Sequence, residues 1–283
     1  MFPVRRIRPS RLLSPYVKAF EERVQRLDAT VVLRPLPART EQFLEFYLAD
    51  RYRVREIATG VVETAPDTVL VGLQTYRRVD VMLAGALRLF TIQFTPTGFS
   101  TLFGPSTAQL TDQAFAGRDV LGPEVSLIAE RLEAAPDLAA RVAIAEAWLA
   151  PRAQDHAPDP VAWAARRMTA LHGGVRVADL ARAADLGERQ FERRFTRAVG
   201  VSPKRYARVL RFREALRLKA EGVESGWASV AQAAGYVDQA HMIHEFQALA
   251  GDSPERLVAA MAPAREIVVP GVGNLQSSPL KTP

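Results

Sequence analysis

Residues 177–203 read VADLARAADLGERQFERRFTRAVGVSP, and residues 230–254 read VAQAAGYVDQAHMIHEFQALAGDSP. The second stretch repeats the first, because the pattern Phe-x4-Gly-x-Ser-Pro begins at Phe195 and again at Phe246, an offset of 51 at all four positions. Upstream of the phenylalanines the best match has an offset of 50, so one extra residue lies in the second copy. The sequence therefore predicts a duplicated structural unit in the C-terminal part of the chain.

Each copy has the features of two helices joined by a tight turn. The turn contains Asp185 in the first copy and Gly235 in the second, and both residue types tolerate the left-handed conformation that such a turn needs. The second helix of each copy, 188–199 or 238–250, is followed by a glycine as C-cap, and Ser-Pro then supplies the N-cap and first residue of a further helix. This order predicts two helix-turn-helix units; we call the second helix of each the reading helix.

The first reading helix has one apolar face and one strongly polar face. Phe191 and Phe195 lie four residues apart and are predicted to face the core. The opposite face carries guanidinium groups, which bond guanine O6 and N7 in the major groove and also bind phosphate. The predicted DNA-binding residues of this unit are Arg189, Gln190, Glu192, Arg193 and Arg197.

The second reading helix has a different chemistry. Met242 and Phe246 are its predicted core residues. A glutamine suits adenine, and an isoleucine suits a thymine methyl group. The predicted DNA-binding residues are Gln239, Ala240, His241, Ile243 and His244. For His241, which precedes a core residue, packing or holding the turn is an equally good interpretation.

The positive charge of the chain is concentrated around the first unit. Residues 186–219 contain 11 basic and three acidic side chains, a net charge of +8, whereas the whole chain carries +6, so the remainder is slightly acidic. A basic stripe on a near-neutral body indicates a nucleic-acid binder, with an acidic membrane surface or a solvated helix face as the alternatives. No stretch reaches about 18 consecutive apolar residues, so we expect no membrane span.

The composition argues against several kinds of enzyme. None of the 283 residues is a cysteine, which excludes disulfides, thiolate catalysis and zinc sites with Cys ligands. All four histidines follow residue 155, so a metal-dependent or Ser-His-Asp enzyme in the first half would have no imidazole. A carboxylate-only site at Glu41, Glu45 or Glu56 stays open, with salt bridges as the alternative. We expect no catalytic residues, no metal and no cofactor.

The overall pattern predicts an α+β chain of two domains. Short β-branched runs at 31–33, 43–47, 68–73, 79–83 and 87–94 favour antiparallel strands, and 123–135 and 136–149 have amphipathic helix periodicity. The predicted boundaries are a β-rich domain at 1–150, a Pro-rich linker at 151–160, an all-α domain at 161–262 and a disordered tail at 263–283.

The phrases RRFTRAVGVSPKRY and GYVDQAHMIHEF resemble the AraC/XylS family of bacterial transcription regulators, over about residues 161–261. The resemblance implies a DNA-binding domain of seven helices, in which a long helix, here 203–220, joins two helix-turn-helix units. It implies that the two reading helices enter successive major grooves, roughly 34 Å apart along the duplex. Sequence-specific regulation is therefore the leading hypothesis, and a non-specific architectural DNA-binding protein is the alternative.

The sequence departs from the family pattern at three positions. Gly187 stands where a Ser N-cap is usual, His244 where Arg is common, and Met242 where Phe is usual. The two reading helices also differ in charge, because 188–199 contains four arginines and 238–250 contains none. We therefore expect the first unit to contribute more of the affinity.

The first half is also similar to this family, in LFTIQFTPTGFSTLFG and the following LTDQAFAGRDVLG. The resemblance implies a small cupin-like β-barrel with two following helices, which acts as a sensor or dimerisation domain. Helices in 123–149 are the candidate dimer contact, with packing on the sheet as the alternative. The implied partners are double-stranded DNA, a small-molecule effector, RNA polymerase and a second copy in a homodimer. The implied location is the bacterial cytoplasm, at the nucleoid when bound.

Overall fold

The structure is a computed structural model that describes residues 4–104, 107–153, 159–222 and 226–262. The tail predicted to be disordered, 263–283, lies outside the described residues, as does the middle of the predicted linker, 154–158. The described part consists of a β-rich N-terminal half followed by helices, as the sequence predicts.

The N-terminal half is built on one antiparallel sheet of eight strands within the described residues. They are β1 (Val4–Ile7), β2 (Val17–Pro35), β3 (Phe43–Tyr47), β4 (Arg53–Glu56), β5 (Val62–Thr64), β6 (Thr68–Val71), β7 (Val79–Phe94) and β8 (Ala114–Ala116). The main order is β1-β2-β7-β3-β6-β8, and β4 pairs with both β5 and β7. The long strand β7 therefore organises the sheet, because it pairs with three other strands.

Alternation along β3 sorts side chains to the two faces of the sheet. Leu44 and Phe46 point to one face, where they join Phe90 in the main apolar core. Phe43 and Tyr47 point to the other face and belong to a smaller cluster. Both faces of this strand are thus covered, which explains why 43–47 is apolar almost throughout.

The strands β1, β4, β5 and β8 lie outside the predicted runs, and β7 and β2 differ from the prediction in extent. The sequence suggests a break at Gly85, but β7 continues through it with a φ of 72° at that glycine. The partner strand β2 has a register irregularity opposite, between Leu27 and Val32, so the glycine accommodates a bulge rather than a strand end. The first part of β2 was not predicted, because charged residues occupy both of its faces.

The helices that follow the sheet cover one of its faces. They are α1 (Gly98–Phe103), a single 3₁₀ turn (Thr107–Leu110), α2 (Gly117–Leu121), α3 (Glu124–Ala134) and α4 (Leu138–Ala153). Val125 and Leu132 of α3 and Leu149 of α4 are buried in the same core as the sheet. The apolar faces of the two predicted helices thus pack on the sheet, while Leu127 of α3 remains 61% exposed.

The predicted linker is partly helical. Helix α4 continues through Pro151 to Ala153, and α5 already begins at Pro160. Asp159 is the N-cap of α5, since its carboxylate accepts a hydrogen bond from the Val161 N–H at 3.0 Å.

The C-terminal part contains seven helices within the described residues, the number that the resemblance implies. They are α5 (Pro160–Ala170), α6 (Val177–Ala183), α7 (Glu188–Val199), α8 (Pro203–Ala220), α9 (Trp227–Ala233), α10 (Gln239–Ala250) and α11 (Pro254–Met261). Helices α6 and α7 form the first unit, α9 and α10 the second. Tyr206 and Leu210 of α8 lie in the core of the first unit, and Phe212 and Leu216 lie in that of the second.

Candidate nucleic-acid interface

The first unit has the predicted turn between its two helices. Asp185 has a φ of 53° in the turn, and the N–H of Leu186 bonds the carbonyl oxygen of Ala181 at 3.0 Å. The turn lets α7 pack across α6, so that Phe191 and Phe195 are fully buried. Gly187 precedes α7 without a capping side chain, as its residue type dictates.

The opposite face of α7 is exposed to solvent and rich in cations. All five candidate residues of this unit are exposed: Arg189, Gln190, Glu192, Arg193 and Arg197. Four of them, together with Thr196 and with Ala108 of the 3₁₀ turn, line a shallow cleft of about 530 Å³. The structure therefore brings these candidates together on one surface, beside which the N-terminal half also lies.

The second unit places its candidates in the equivalent way. Asp238 is the N-cap of α10, because its carboxylate accepts a hydrogen bond from the His241 N–H at 2.7 Å. Met242 and Phe246 are fully buried. The candidate residues on the outside are all exposed: Gln239, Ala240, His241, Ile243 and His244.

The ring of His241 contacts the turn of the second unit. It meets the ring of Tyr236 edge-on, with centroids 5.5 Å apart. This contact matches the interpretation in which His241 holds the turn, although the side chain is exposed enough to reach a ligand. Burial raises the pKa of the Tyr236 hydroxyl, so this ring stays neutral at physiological pH.

The sequence did not single out Val237, which immediately precedes the N-cap of α10. Its side chain is 87% exposed, the largest exposed fraction among the exposed large apolar side chains. The position is equivalent to Gly187 of the first unit by the offset of 50. The signal in the sequence is an apolar residue in the turn directly before a reading helix. Val237 is therefore a further candidate for apolar contact with DNA in the second unit.

The arginines of α8 have a different role from those of α7. Arg208 forms a two-pronged ion pair with Glu245 of α10, at 2.7 and 2.9 Å, and hydrogen bonding to this carboxylate raises the pKa of the guanidinium. Arg217 pairs in the same way with Glu214, and this bonding lowers the pKa of the Glu214 carboxyl. The basic stretch seen in the sequence is thus divided. These two α8 residues are paired within the protein, whereas α7 presents its arginines to solvent, apart from Arg194, which lies 3.4 Å from Asp159.

The three carboxylates considered for an enzyme site have structural partners. Glu41 lies 3.6 Å from Arg213, and Glu45 accepts a hydrogen bond from the Tyr52 hydroxyl at 2.7 Å. Glu56 accepts one from the hydroxyl of a neighbouring threonine. Within the described residues, no group of three or more His, Cys, Asp or Glu side chains is arranged to hold a metal ion. None of the helices described here is long and apolar enough to cross a membrane.

Comparison with known proteins bears on the helical part. A family model described as a helix-turn-helix domain matches residues 180–260, a range that begins within α6 and covers the rest of both units. The resemblance noted in the sequence is thereby confirmed for this region: the chain carries an AraC-type helix-turn-helix domain. A search of curated proteins gave no match.

Several solved structures are similar to this chain at low identity. ToxT from Vibrio cholerae O395 is 10% identical, with 87% of this chain and 99% of that chain covered and a TM-score of 0.46. Wild-type ToxT from Vibrio cholerae strain SCE256, bound to an unsaturated fatty acid, is 11% identical over 86% of this chain and 96% of that chain, with a TM-score of 0.45. The AraC-like transcriptional activator CuxR is 13% identical over 78% and 82%, with a TM-score of 0.28.

Proposed function

We propose that this DNA-binding regulator recognises a specific sequence by placing α7 and α10 in two successive major grooves. The observation that carries the proposal is the shared geometry of the two helices. Phe195 and Phe246, 51 residues apart, are both fully buried, and the outward face of each helix exposes polar side chains at its N-terminal end. In helix-turn-helix proteins this end of the recognition helix contacts the base edges.

The two units contribute different kinds of contact. The exposed arginines of α7 supply charge for phosphate and a bidentate donor pair for guanine. Helix α10 contains no Lys or Arg, so its Gln239 and Ile243 offer contacts to adenine and to a thymine methyl group instead. We expect the first unit to provide most of the salt-dependent affinity and the second to provide mainly discrimination between sequences.

Selection of bound fragments from sheared genomic DNA tests this proposal. A sequence-specific regulator enriches a few fragments and binds them about 10³-fold or more tightly than random DNA. A non-specific architectural protein, for which the cationic face of α7 would suffice, enriches none. Both kinds of protein lose affinity steeply as salt rises, so the specificity ratio and not the salt slope decides between them.

We also propose that the N-terminal half senses an effector. Support comes from a cleft of about 370 Å³ whose lining includes Tyr47 and Arg51 of the N-terminal half and Glu130 and Glu133 of α3. Arg51 pairs at 2.7 Å with Asp67, which also lines the cleft. A ligand held between these groups would carry both a cationic and an anionic or hydrogen-bonding part. Screening of small molecules for a rise in the melting temperature of the chain tests this, and Glu130→Ala should abolish the rise for a true ligand of this cleft.

The remaining partners follow from the family resemblance. We propose a homodimer in the cytoplasm that contacts RNA polymerase when bound at the nucleoid. Leu127 on the outer side of α3 is the apolar residue available there for a second copy. Sedimentation of the wild-type chain and of Leu127→Glu tests the dimer: a monomeric wild-type chain at micromolar concentration would contradict it.

A further inference from the structure

The N-terminal half touches both helix-turn-helix units at once. Two of its short segments lie side by side, because the N–H of Arg39 bonds the carbonyl oxygen of Gln74 at 2.8 Å and the N–H of Gln74 bonds that of Arg39 at 2.9 Å. The residues that immediately precede Arg39 and Gln74 are buried in two different cores. Ala38 is buried in the core of the second unit, and Leu73 is buried in that of the first.

The same two segments also hold α8 near its beginning and its middle. Arg205 donates a hydrogen bond to the hydroxyl of Thr75 at 2.7 Å. Arg213, two turns further along α8, lies 3.6 Å from the carboxylate of Glu41. Although burial acts to raise the pKa of the Glu41 carboxyl, the charge of Arg213 and other neighbouring cations lowers it, so the pair is charged at neutral pH.

The N-terminal half further binds the C-terminal end of both reading helices. The last carbonyl groups of a helix have no partner within the helix, and capping donors normally satisfy them. Here the donors come from the other half of the chain: Gln42 Nε2 to Val199 O (2.9 Å), Ser100 Oγ to Ala198 O (3.0 Å), Thr107 Oγ1 to Arg197 O (3.1 Å) and Thr111 Oγ1 to Gly200 O (2.8 Å). On α10, the N–H of Ala38 donates to Leu249 O at 2.9 Å.

The internal repeat shows that two of these contacts are equivalent. Ala198 and Leu249 are 51 residues apart, so they occupy the same position in the two copies. The N-terminal half therefore binds the same carbonyl group of each reading helix, once through a side chain and once through its backbone. One rigid body that contacts both helices at the same place fixes their separation and relative rotation.

We infer that the N-terminal half sets the spacing between the two DNA boxes that the chain accepts. This inference rests on the proposed function, and it adds that α8 alone does not determine how the reading helices are placed. Helix α8 joins the two cores along one line, and rotation of one unit about that line would turn its reading helix away from the groove. The contacts of the N-terminal half lie off this line and oppose that rotation.

The test compares two DNA sites in the full chain. One site is the best fragment from selection, and the other has 2 bp inserted between its boxes, which rotates the second box by roughly 70° about the duplex axis. The wild-type chain should bind the inserted site about tenfold or more weakly, as expected when one unit loses its base contacts. Thr107→Val/Thr111→Val removes two of the hydroxyl donors to α7 with little change in volume. The ratio should then fall to about threefold or less, because the first unit is released from the N-terminal half and becomes free to adjust relative to the second.

A matched control has the same chemistry without the contact. The hydroxyl of Thr101 lies in α1, next to Ser100, but bonds Thr97 O within the N-terminal half at 2.8 Å. Thr101→Val should keep the wild-type ratio. If the double variant also keeps it, or loses affinity equally for both sites, the inference is wrong. If circular dichroism shows that the double variant is unfolded, Gln42→Leu removes a different cap and takes its place.

A second readout does not depend on DNA. Because the chain has no cysteine, Gln190→Cys and Gln247→Cys provide two unique positions for spin labels, one on each reading helix. The distance distribution between the labels should broaden in Thr107→Val/Thr111→Val and stay narrow in Thr101→Val; equal widths would overturn the inference. A wild-type chain that enriches no DNA fragment would defeat the proposed function and, with it, the inference about box spacing. A chain that binds its fragment equally at both spacings would defeat only this inference.

Discussion

Single residues in the two reading helices are divided between folding and contact with a ligand. On α7 the fully buried Phe191 and Phe195 hold the helix in its unit. Of the two exposed arginines between them, Arg194 lies 3.4 Å from the carboxylate of Asp159 at the start of α5, whereas Arg193 lines the cleft along α7. On α8, by contrast, Arg208 ties the helix to Glu245 of α10. The same residue type thus stabilises the protein in one helix and is available for DNA in the other.

We expect Arg193→Ala to weaken binding of the selected fragment by about 1–3 kcal/mol if the side chain reads a guanine. Competition between the fragment and its single-base variants measures this. If Arg193 reads a base, Arg193→Ala weakens binding of the selected fragment but does not further weaken binding of the variant in which that base pair has been changed. A loss that is uniform over all sequences, with a salt slope smaller by about one, would show that Arg193 contacts only phosphate. Arg118→Ala, which removes an exposed arginine of α2, is the control.

At the scale of elements, the repeat makes the helix ends predictable and also exposes where they differ. Gly200 and Gly251 end the two reading helices with φ values of 103° and 70°. A Cβ on Gly251 would meet nothing within 4 Å, but a Cβ on Gly200 would lie 2.6 Å from Thr111 Oγ1 and 3.0 Å from Thr107 O. Two glycines with the same local role therefore differ in what surrounds them.

We expect Gly251→Ala to lower the free energy of unfolding by about 1–2 kcal/mol, the cost of a left-handed alanine. Gly200→Ala should cost about 1–3 kcal/mol more, because it also crowds the contact with the N-terminal half. Denaturant unfolding measures both. In a Thr111→Ala background the extra cost should shrink, since the nearest clashing atom is gone; equal costs for the two glycines in the wild-type background would contradict the close approach.

Most of the helical part was predictable because its signals are local. The N-caps at Ser202 and Ser253, the glycine ends and the buried phenylalanines each depend on residues within a few positions. The first part of β2 was not predictable for the opposite reason. Its Glu22 is only 2% exposed and pairs at 3.1 Å with Arg141 of α4, 119 residues away, so a buried ion pair disguises the alternation that marks a strand.

The candidate DNA surface was predictable as a set of residues but not as an arrangement. Periodicity alone identified which side of α7 and α10 is exposed. It could not show that Ala108 borders the cleft along α7, or that Ala38 and Leu73 enter the cores of the two units. Those contacts join segments that are more than 80 residues apart in the sequence, and they arise from the docking of one half of the chain on the other.

At the scale of the whole molecule, the shared cores imply that the two halves stabilise one another. Leu70 and Leu73 are three residues apart and almost completely buried, yet Leu70 lies in the core between the sheet and its helices, and Leu73 lies in that of the first helix-turn-helix unit. Truncation of either to alanine leaves a cavity and should cost about 2–5 kcal/mol. Both changes replace leucine by alanine, but they should destabilise different parts of the molecule.

Hydrogen exchange of the full chain distinguishes the two cases. We expect Leu73→Ala to speed exchange most in α7, because the cavity lies in the core that also contains Phe191 and Phe195, and to leave α4 closer to the wild type. Leu70→Ala should do the reverse, since its core includes Leu149 of α4. If Leu73→Ala instead loosens only the sheet, the first unit does not depend on the N-terminal half. If the expected pattern holds, a residue outside the candidate DNA surface controls the stability of the reading helix that carries the exposed arginines, and a signal received in the N-terminal half has a physical route to α7.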